Sequence, residues 1–385
     1  MMSRERVLFV DHTGQIGGAE LILMDVVQGR SESTAFLFDQ GPLAKALSDR
    51  GPSVITSRWG IGLSRFRRDS SWLKALPLAG GLAAIIAELA HVARRHDVVY
   101  ANSQKAFVLS AIANIVACKP LIWHLHDIIS PAHFGALQRR LQVGLANRFA
   151  AKVIVPSEAA AAAFIAAGGR RALVEVVPNG LAVEPLPMSR QELRQRLGLP
   201  PGPLVGVFSR LARWKGQHIL IEALAKLPGA HCIIVGDALF GEQDYAAELR
   251  KQVGELGLGD RVHFLGHRSD VPLLMQSVDA MVHPSIDPEP FGRTLVEAML
   301  AGVPVIATDA GAAPDILEHG RAGMLVPPGD ARALAEALDA VLAEPEILKP
   351  QLDYASRRAR THYSLARMLD SIGLLIRNVR PGAAV

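Results

Sequence analysis

Two basic residues stand out because of their neighbours in the sequence. Arg210 and Lys215 flank a turn after an apolar run, and Gly216 comes next, at the start of a helical stretch. An arginine binds a phosphate through two nitrogens, a lysine adds a point charge, and a helix N-terminus presents backbone amides. The alternative is a pair of solvated surface cations. We favour a diphosphate site because both residues come after a fully apolar strand.

Two acids come after a second apolar run. Glu289 and Glu297 have seven residues between them, and a helix is predicted to begin at Gly292 or Arg293. The backbone amides of residues 291–294 would then stabilise negative charge. Glu297, one to two turns into that helix, could accept hydrogen bonds from the two vicinal hydroxyls of a ribose. Each glutamate taken alone is better interpreted as an ordinary surface acid.

A histidine pair and a glycine loop add weaker signals in the first half of the chain. His124 and His126 alternate along a predicted strand and so share one face. His126 is predicted to project at the strand end as a hydrogen-bonding or proton-transfer group. His124 is interpreted as structural, and no third ligand supports a zinc site. Gly17 and Gly18 precede a helix predicted to start near Ala19, which suits an anion site or simply a tight turn.

The elements that position these residues recur as short apolar runs, each followed by a helical stretch. The first series of predicted strands is residues 7–10, 98–101, 120–125, 152–156 and 174–178. The second series is residues 204–209, 232–236, 262–266, 280–284 and 303–307. Such alternation predicts an α/β protein with two Rossmann-like, doubly wound parallel sheets.

A proline-rich stretch separates the two series. Five prolines lie between Pro185 and Pro203, which indicates a linker. The predicted domains are 1–183, 184–360 and a C-terminal helix, 361–385, which is expected to pack back on the first domain.

Composition limits the class of protein. The chain has 385 residues, half of them hydrophobic, and a net charge of +4, which suits anionic partners. The two cysteines, Cys118 and Cys232, lie in apolar runs and are predicted to be buried, reduced thiols. The N-terminus lacks the apolar core of a signal peptide, and the apolar run 75–89 is short for a membrane span. The expectation is a soluble, cytoplasmic protein.

The sequence resembles the retaining glycosyltransferases of the GT-B fold, specifically the GT4 family. The matching segments run along nearly the whole chain: GGAE (17–20), QGPLAKALSDRG (40–51), HD (126–127), VPSEAAAAAF (155–164), VVPNG (176–180), SRLARWKGQ (209–217), VHFLG (262–266) and HPSIDPEPFGRTLVEAMLAGVPVIATDAG (283–311). The last segment is the most specific of them.

The resemblance implies a role for each matched residue. Arg210 and Lys215 would grip the donor diphosphate, Glu297 the ribose, and Glu289 would lie against the transferred sugar. His126 would contact that sugar near the reacting carbon. Leu265, Gly266 and His267 would hold the base. The remaining implied donor-binding residues are Gly17, Gly18, Pro290, Phe291, Gly292, Arg293 and Thr294. Departures from the family pattern, at 181–184, His283, Arg293 and Thr294, leave the donor sugar open.

The resemblance also implies a reaction. A hexose would pass with retention from a UDP- or GDP-sugar to a saccharide or polyprenyl-linked saccharide, in bacterial surface polysaccharide synthesis. No DxD motif for a metal is apparent, so no metal or other cofactor is expected, and nucleic acid is not an expected partner. Arg65, Arg67 and Arg68, interleaved with aromatic residues, are typical of a patch for an anionic membrane surface or of an ordinary basic edge.

Two alternatives remain open. One is a nucleotide-sugar epimerase or phosphorylase-like enzyme of the same fold. The other is a degenerate, non-catalytic subunit that only binds sugar nucleotides, against which the joint presence of Arg210, Lys215, Glu289 and Glu297 argues. A dinucleotide oxidoreductase is disfavoured because its glycine fingerprint is missing.

Overall fold

The computed structural model describes residues 5–59, 79–183, 185–239 and 241–380. Packing divides the chain into two compact units, Met1–Gly180 with Leu365–Val385, and Leu181–Ser364. The sequence places its boundaries after residues 183 and 360, whereas the packing places them after Gly180 and Ser364. The arginine-rich segment predicted to touch a membrane lies outside the described residues.

The described residues form the following elements. The strands are β1 (Val7–Asp11), β2 (Thr34–Leu37), β3 (Ser53–Thr56), β4 (Val98–Ala101), β5 (Leu121–His124), β6 (Ala150–Val155), β7 (Val174–Val176), β8 (Leu204–Phe208), β9 (His231–Val235), β10 (Val262–Gly266), β11 (Ala280–His283), β12 (Val305–Thr308) and β13 (Met324–Val326). The helices are α1 (Gly18–Val26), α2 (Pro42–Ser48), α3 (Ala79–Ala93), α4 (Gln104–Ala117), α5 (Ala136–Phe149), α6 (Glu158–Ala166), α7 (Arg190–Leu197), α8 (Gln217–Leu224), α9 (Gln243–Glu255), α10 (Val271–Ser277), α11 (Arg293–Leu300), α12 (Ala313–Ile316), α13 (Ala331–Ala343), α14 (Lys349–His362) and α15 (Leu365–Val379).

The first unit contains a parallel sheet whose described strands run in the order β3-β2-β1-β4-β5-β6-β7. Its central strands are continuous apolar runs because both faces are covered: neighbours such as Ile122 and Trp123 enter different hydrophobic clusters. The order of the strands reverses between β1 and β4. Ligands of doubly wound sheets bind at such a switch point, outside the carboxyl ends of the strands.

The C-terminal helix α15 is part of the first unit. Met368, Ile372 and Ile376 recur every four residues on one helical face, and each is at most 1% exposed. They join the cluster that also contains Phe9 and Tyr100 of the central strands. Residues distant in the sequence therefore complete one face of this core.

The second unit repeats the design with six described parallel strands, in the order β10-β9-β8-β11-β12-β13. The five residues of β8 are all buried, and clusters of apolar side chains cover both faces of the sheet. The switch point lies between β8 and β11. The loops after these two strands, which contain the predicted cations and acids, therefore meet at one edge of the sheet.

All ten predicted strands are present, and the described residues contain three further strands that the sequence did not indicate. The residues of β3 are half-buried or exposed at a sheet edge, and β13 has only three residues, so neither shows a long apolar run. The missed β2 is a buried run of four residues. The prediction that Cys118 is buried is wrong: it is exposed, since it lies past the last turn of α4 as its C-cap.

Candidate active site

An ion pair lies at the switch point of the second unit. The Nζ of Lys215 is 2.5 Å from the Oε1 of Glu289, and the two side chains are 13% and 10% exposed. These residues come from the loops after β8 and β11, which pair in the sheet. The structure thus brings together two predicted site residues that are 74 positions apart in the sequence.

Further donors surround the same carboxylate. The Nε2 of His283 lies 2.8 Å from Oε1 of Glu289, and the hydroxyl of Ser285 donates to that oxygen. Burial by itself raises the pKa of Glu289, but the positive charges of His283 and Lys215 outweigh burial and hold this pKa well below its ordinary value. Glu289 is therefore a carboxylate at neutral pH and is unsuited to act as a general acid.

Two glycines permit this close approach of loops. Gly216 has φ of 72°, and a Cβ at that position would overlap the carbonyl oxygen of Pro284. Gly311 has φ of 61°, and a Cβ there would overlap the backbone of Glu289. Both positions combine a left-handed backbone with contact against other backbone atoms, so only glycine fits. The amide of Ala312 also donates to the carbonyl of Glu289 at 3.0 Å.

Arg210 and Lys215 share an aromatic neighbour. The guanidinium carbon of Arg210 lies 5.4 Å from the ring centroid of Trp214, and the Nζ of Lys215 lies 4.3 Å from it. The amide of the buried Gln217 donates to the carbonyl of Arg210 at 3.0 Å and to the hydroxyl of Ser209 at 2.9 Å. The turn therefore places two cations around one ring, and the hydrogen bond from Gln217 fixes the backbone of Arg210.

The helix α11 begins beside this pair. Its N-cap is Gly292, with φ of 83° and no side-chain cap. The amide of Leu295 donates to the carbonyl of Gly292 at 3.0 Å, and the amides of Arg293 and Thr294 ahead of it have no intrahelical acceptor. The Nε of Arg293 lies 2.8 Å from the Oε1 of Glu297, one turn further along. The carboxylate predicted to bind a ribose is thus held by a neighbouring guanidinium. Thr294 contacts the Nδ1 of His283 at 3.3 Å through its hydroxyl.

The segment predicted to hold the base lies elsewhere on the sheet. Leu265, Gly266 and His267 lie at and just after the end of β10, which β9 separates from β8. His267 is exposed, whereas Leu265 is half-buried and lines a cavity of about 260 Å³. The structure therefore places this segment at the same edge as the Lys215–Glu289 pair, two strands away from it.

In the first unit, residues at or near the ends of β1, β4 and β5 form a polar chain that is buried except at the half-buried His126. Asp11 accepts from the Nδ2 of Asn102 at 2.7 Å, and the Oδ1 of Asn102 lies 3.0 Å from the Nε2 of His126. The rings of His126 and His124 are 3.9 Å apart, and the Nδ1 of His124 is 2.6 Å from the hydroxyl of Tyr100. Three neighbouring strands thus contribute to a continuous network.

Burial keeps both histidines of this network neutral. It lowers the pKa of His126 to about 4, although the charges of Asp127 and Asp11 oppose this effect. The pKa of the wholly buried His124 also lies well below its ordinary value, first because of burial and then because of His126. At neutral pH the two rings therefore act as hydrogen-bonding groups and supply no positive charge.

The predicted glycine loop is closed by a glutamate. Gly17 caps α1, and its amide donates to the Oε2 of Glu20 at 2.9 Å. Burial, and next the negative charge of Asp11, raise the pKa of Glu20 to about 7. The spacing of Glu20 from the N-cap is that of a capping box.

Replacing Glu20 with glutamine should stabilise the protein at alkaline pH. The pKa of Glu20 is 4.5 in the unfolded chain and about 7 in the folded protein. Between pH 4.5 and pH 7 the folded protein therefore binds more protons than the unfolded chain does. Stability conferred by this group therefore falls as pH rises from 4.5 to 7. Glutamine keeps the acceptor for Gly17. We expect equal stability at pH 4.5 and a gain of about 2 kcal/mol at pH 8, measured by urea unfolding.

A matched control is available at the surface. Glu192 closes the capping box of α7 with Ser189, and the pKa of its carboxyl is lowered by those hydrogen bonds. The Glu192→Gln variant should gain no stability at pH 8. A Glu20→Gln variant that is less stable than the wild type at pH 8 would contradict the linkage.

Two features of the described residues bear on cofactors and membranes. Within them, His, Cys, Asp and Glu side chains form no group of three or more that could hold a metal ion. No helix in the same part of the chain has the length and apolarity needed to cross a membrane.

Several residues of these networks were missed from the sequence. Asp11 ends β1 and Asn102 directly follows β4, so the reasoning that singled out His126 after β5 would have found them. His283 attracted notice only as a departure from the family pattern. Trp214 sits between the two cations in the sequence and carried no assigned role.

Two doubly wound parallel sheets in one chain, with charged residues gathered after neighbouring strands, define the GT-B class of protein. The family model described as glycosyl transferases group 1 matches residues 189–361, and that of the glycosyl transferase 4-like domain matches residues 30–180. The structure of Anabaena Alr3699/HepE in complex with UDP-glucose is 40% identical, covers 97% of this chain and 100% of that chain, and has a TM-score of 0.86. The chain belongs to the group 1, GT4-type glycosyltransferases.

Curated relatives match shorter stretches. The lipopolysaccharide core biosynthesis mannosyltransferase LpsB of Rhizobium meliloti is 31% identical over 53% of this chain and 61% of its own length. The GDP-mannose-dependent alpha-(1-6)-phosphatidylinositol monomannoside mannosyltransferase of Mycobacterium tuberculosis is 34% identical over 46% of this chain and 48% of its own length. The chain thus spans about half the length of the curated relatives it matches.

Proposed function

We propose that this protein transfers a hexose, with retention, from a UDP-linked donor to a hydroxyl of a saccharide. The observation that carries the proposal is the Lys215–Glu289 ion pair at the switch point of the second unit, with Arg210 on the same tryptophan ring. A UDP-linked donor is favoured because a relative that is 40% identical and matches over its full length was solved with UDP-glucose. A GDP-linked donor is the alternative, since one matched relative is named as GDP-mannose-dependent.

The cations of this site would stabilise the leaving group. As the bond between the anomeric carbon and the diphosphate oxygen breaks, negative charge grows on the diphosphate. Arg210 and Lys215 would neutralise that charge, together with the uncapped amides at the start of α11. Such fixed positive charge can do the work that a metal ion does in other transferases, so we propose a metal-independent reaction.

Retention needs no protein nucleophile in this scheme. The acceptor oxygen would attack the face that the diphosphate leaves, through an oxocarbenium-like state, and form the new bond to the anomeric carbon. The acceptor proton would pass to the departing phosphate oxygen. Glu289 would remain ionised throughout, because Lys215 and His283 hold its pKa low, and would position the sugar through its hydroxyls.

The rest of the donor would extend along the same unit. Glu297 would accept hydrogen bonds from the ribose hydroxyls, with Arg293 holding one of its oxygens. The segment 265–267 would hold the base. Pro290, Phe291 and Gly292 would line the transferred sugar beside Glu289.

The first unit would bind the acceptor and contribute His126, Gly17 and Gly18. His126 would contact a hydroxyl of a bound sugar. We further propose a lipid-linked saccharide as acceptor, presented at an anionic membrane surface on the cytoplasmic side. This rests on the matched relatives, which are named for lipopolysaccharide core and phosphatidylinositol mannoside synthesis.

One transfer assay tests the proposal. The purified protein is incubated with UDP-glucose, other UDP-hexoses or GDP-mannose, and with a free saccharide or a polyprenyl-diphosphate saccharide in anionic vesicles. Release of nucleoside diphosphate should occur with a UDP-hexose, persist in EDTA, and rise with the vesicle-bound acceptor. A binding subunit would shift in melting temperature with a donor but release no diphosphate from any of them. Turnover that is abolished by EDTA and restored by Mg²⁺ would contradict metal independence.

A further inference from the structure

The buried amide of Asn102 has only one possible orientation. Its Nδ2 lies 2.7 Å from a carboxylate oxygen of Asp11 and 3.3 Å from the backbone carbonyl of Ala19. A backbone carbonyl can only accept, so the atom that faces it must be the NH₂ group. The Oδ1 of Asn102 is thereby turned toward His126, and an amide oxygen can only accept a hydrogen bond.

This orientation decides where the proton of His126 lies. The Nε2 of His126, 3.0 Å from the Oδ1 of Asn102, must be the protonated nitrogen. The ring is neutral at pH 7, because burial lowers the pKa of His126 to about 4 against the charges of Asp127 and Asp11. A neutral imidazole carries one proton, so the Nδ1 presents a lone pair.

Burial fixes the side chains of Asp11 and Asn102, the two residues that precede His126 in the hydrogen-bonded chain. Asp11 and Asn102 are each 0% exposed, and the second oxygen of Asp11 accepts from the backbone amide of His12 at 2.6 Å. The backbone amide of Asn102 also donates to the carbonyl of Val10 at 2.9 Å. Neither side chain can turn without leaving a buried polar group unpaired.

We propose that Asn102 is a positioning residue that locks His126 in its Nε2-protonated tautomer, so that His126 accepts a hydrogen bond through Nδ1 from a sugar hydroxyl. His126 then contributes orientation of the sugar and no positive charge. This assignment to the sugar rests on the function proposed above. The assignment of the tautomer does not depend on it.

The tautomer can be measured directly in the full-length protein. Nitrogen-15 correlation spectra of the histidine rings at pH 7 are recorded for the wild type and for His126→Gln, whose missing signal assigns His126. We expect a neutral ring protonated at Nε2. A ring protonated at Nδ1, or at both nitrogens, would overturn the inference without any appeal to activity.

Variants then test the role of Asn102. Leucine has a shape similar to that of asparagine but lacks both the donor and the acceptor. In Asn102→Leu the ring of His126 should therefore no longer be restricted to the Nε2-protonated tautomer. It should also lower kcat about tenfold and leave KM for the donor within about twofold, because the diphosphate contacts are untouched. A variant that keeps the Nε2–H signal, or that loses it at full kcat, would refute the positioning role. If Asn102→Leu fails to fold, the wild-type spectrum still decides the tautomer.

A matched amide serves as control. Asn114 bonds the backbone of Lys119 at the other end of α4, through both its Oδ1 and its Nδ2. Asn114→Leu should keep the Nε2–H signal of His126 and the wild-type kcat, even if it unfolds at a lower temperature. Absence of transfer from every donor in the wild type, together with an Nε2–H ring that Asn102→Leu releases, would refute the proposed function and leave the tautomer lock standing.

Discussion

Replacing Lys215 with alanine should lower kcat for sugar transfer by about 10²–10³-fold. In the proposed mechanism the ammonium group neutralises the departing diphosphate, and this charge is felt most when the glycosidic bond is breaking. The side chain is only 13% exposed, so little water would replace the lost charge. The measurement is steady-state release of nucleoside diphosphate at saturating donor, which separates kcat from binding.

A neighbouring cation provides the control for Lys215. Arg213 lies in the same turn but is 57% exposed and pairs with Glu248 at the surface. Exposed ion pairs contribute little, so Arg213→Ala should keep kcat within about twofold. Near-normal turnover by Lys215→Ala would mean that the site has been assigned to the wrong residues. Equal losses in both variants would point to collapse of the turn.

Replacing Glu289 with glutamine should abolish most activity and also destabilise the fold. Glutamine retains the shape of the side chain but leaves the charge of Lys215 buried without an anion. Breaking a buried ion pair in this way typically costs about 3 kcal/mol of unfolding free energy. We expect kcat to fall by about 10²–10³-fold, since the carboxylate that positions the sugar is lost.

The stability change in this variant should depend on pH with a definite sign. The folded-state pKa of Glu289 lies below its ordinary value of 4.5, so its contribution to stability is present above pH 4.5. The difference in free energy of unfolding between the wild type and Glu289→Gln should therefore be largest at pH 7 and should become smaller as pH falls below 4.5. Urea unfolding at several pH values measures it. A difference that widens toward acid would contradict the assigned ion pair.

An acid in the same loop separates charge from loop structure. Asp287 is half-buried two residues before Glu289, and Asp287→Asn makes the same chemical change. We expect the free energy of unfolding of this variant to lie within about 0.5 kcal/mol of that of the wild type, and its kcat to be nearly normal. Losses as large as those of Glu289→Gln would show that the loop tolerates no change of charge at all.

The fold was largely predictable because its central strands are long apolar runs. β1, β4, β8 and β11 are buried on both faces, and their apolar runs are visible in the sequence without reference to their neighbours. The wholly buried β2 is the exception, since it was missed. Edge strands such as β3 and β13 form because they pair with a neighbouring strand, and their own residues do not predict that pairing.

The site was predictable residue by residue but not as a set of contacts. Lys215 and Glu289 each come after a strand, yet their pairing depends on β8 and β11 being adjacent, which topology alone decides. Asn102 shows the limit more clearly. An asparagine after a strand is ordinary until Asp11 and His126 are found on either side of it.

The place of α15 in the first unit has a consequence for how the chain folds during synthesis. Residues Leu181–Ser364 form an insertion within the first unit, since its closing helix comes only after them. A nascent chain that has reached Ser364 can complete the inserted unit, while Phe9 and Tyr100 still lack the helix that shields them. The unit that is synthesised first is thus the last to complete its fold. Until α15 is synthesised, the apolar face that this helix covers is the place where a chaperone would bind.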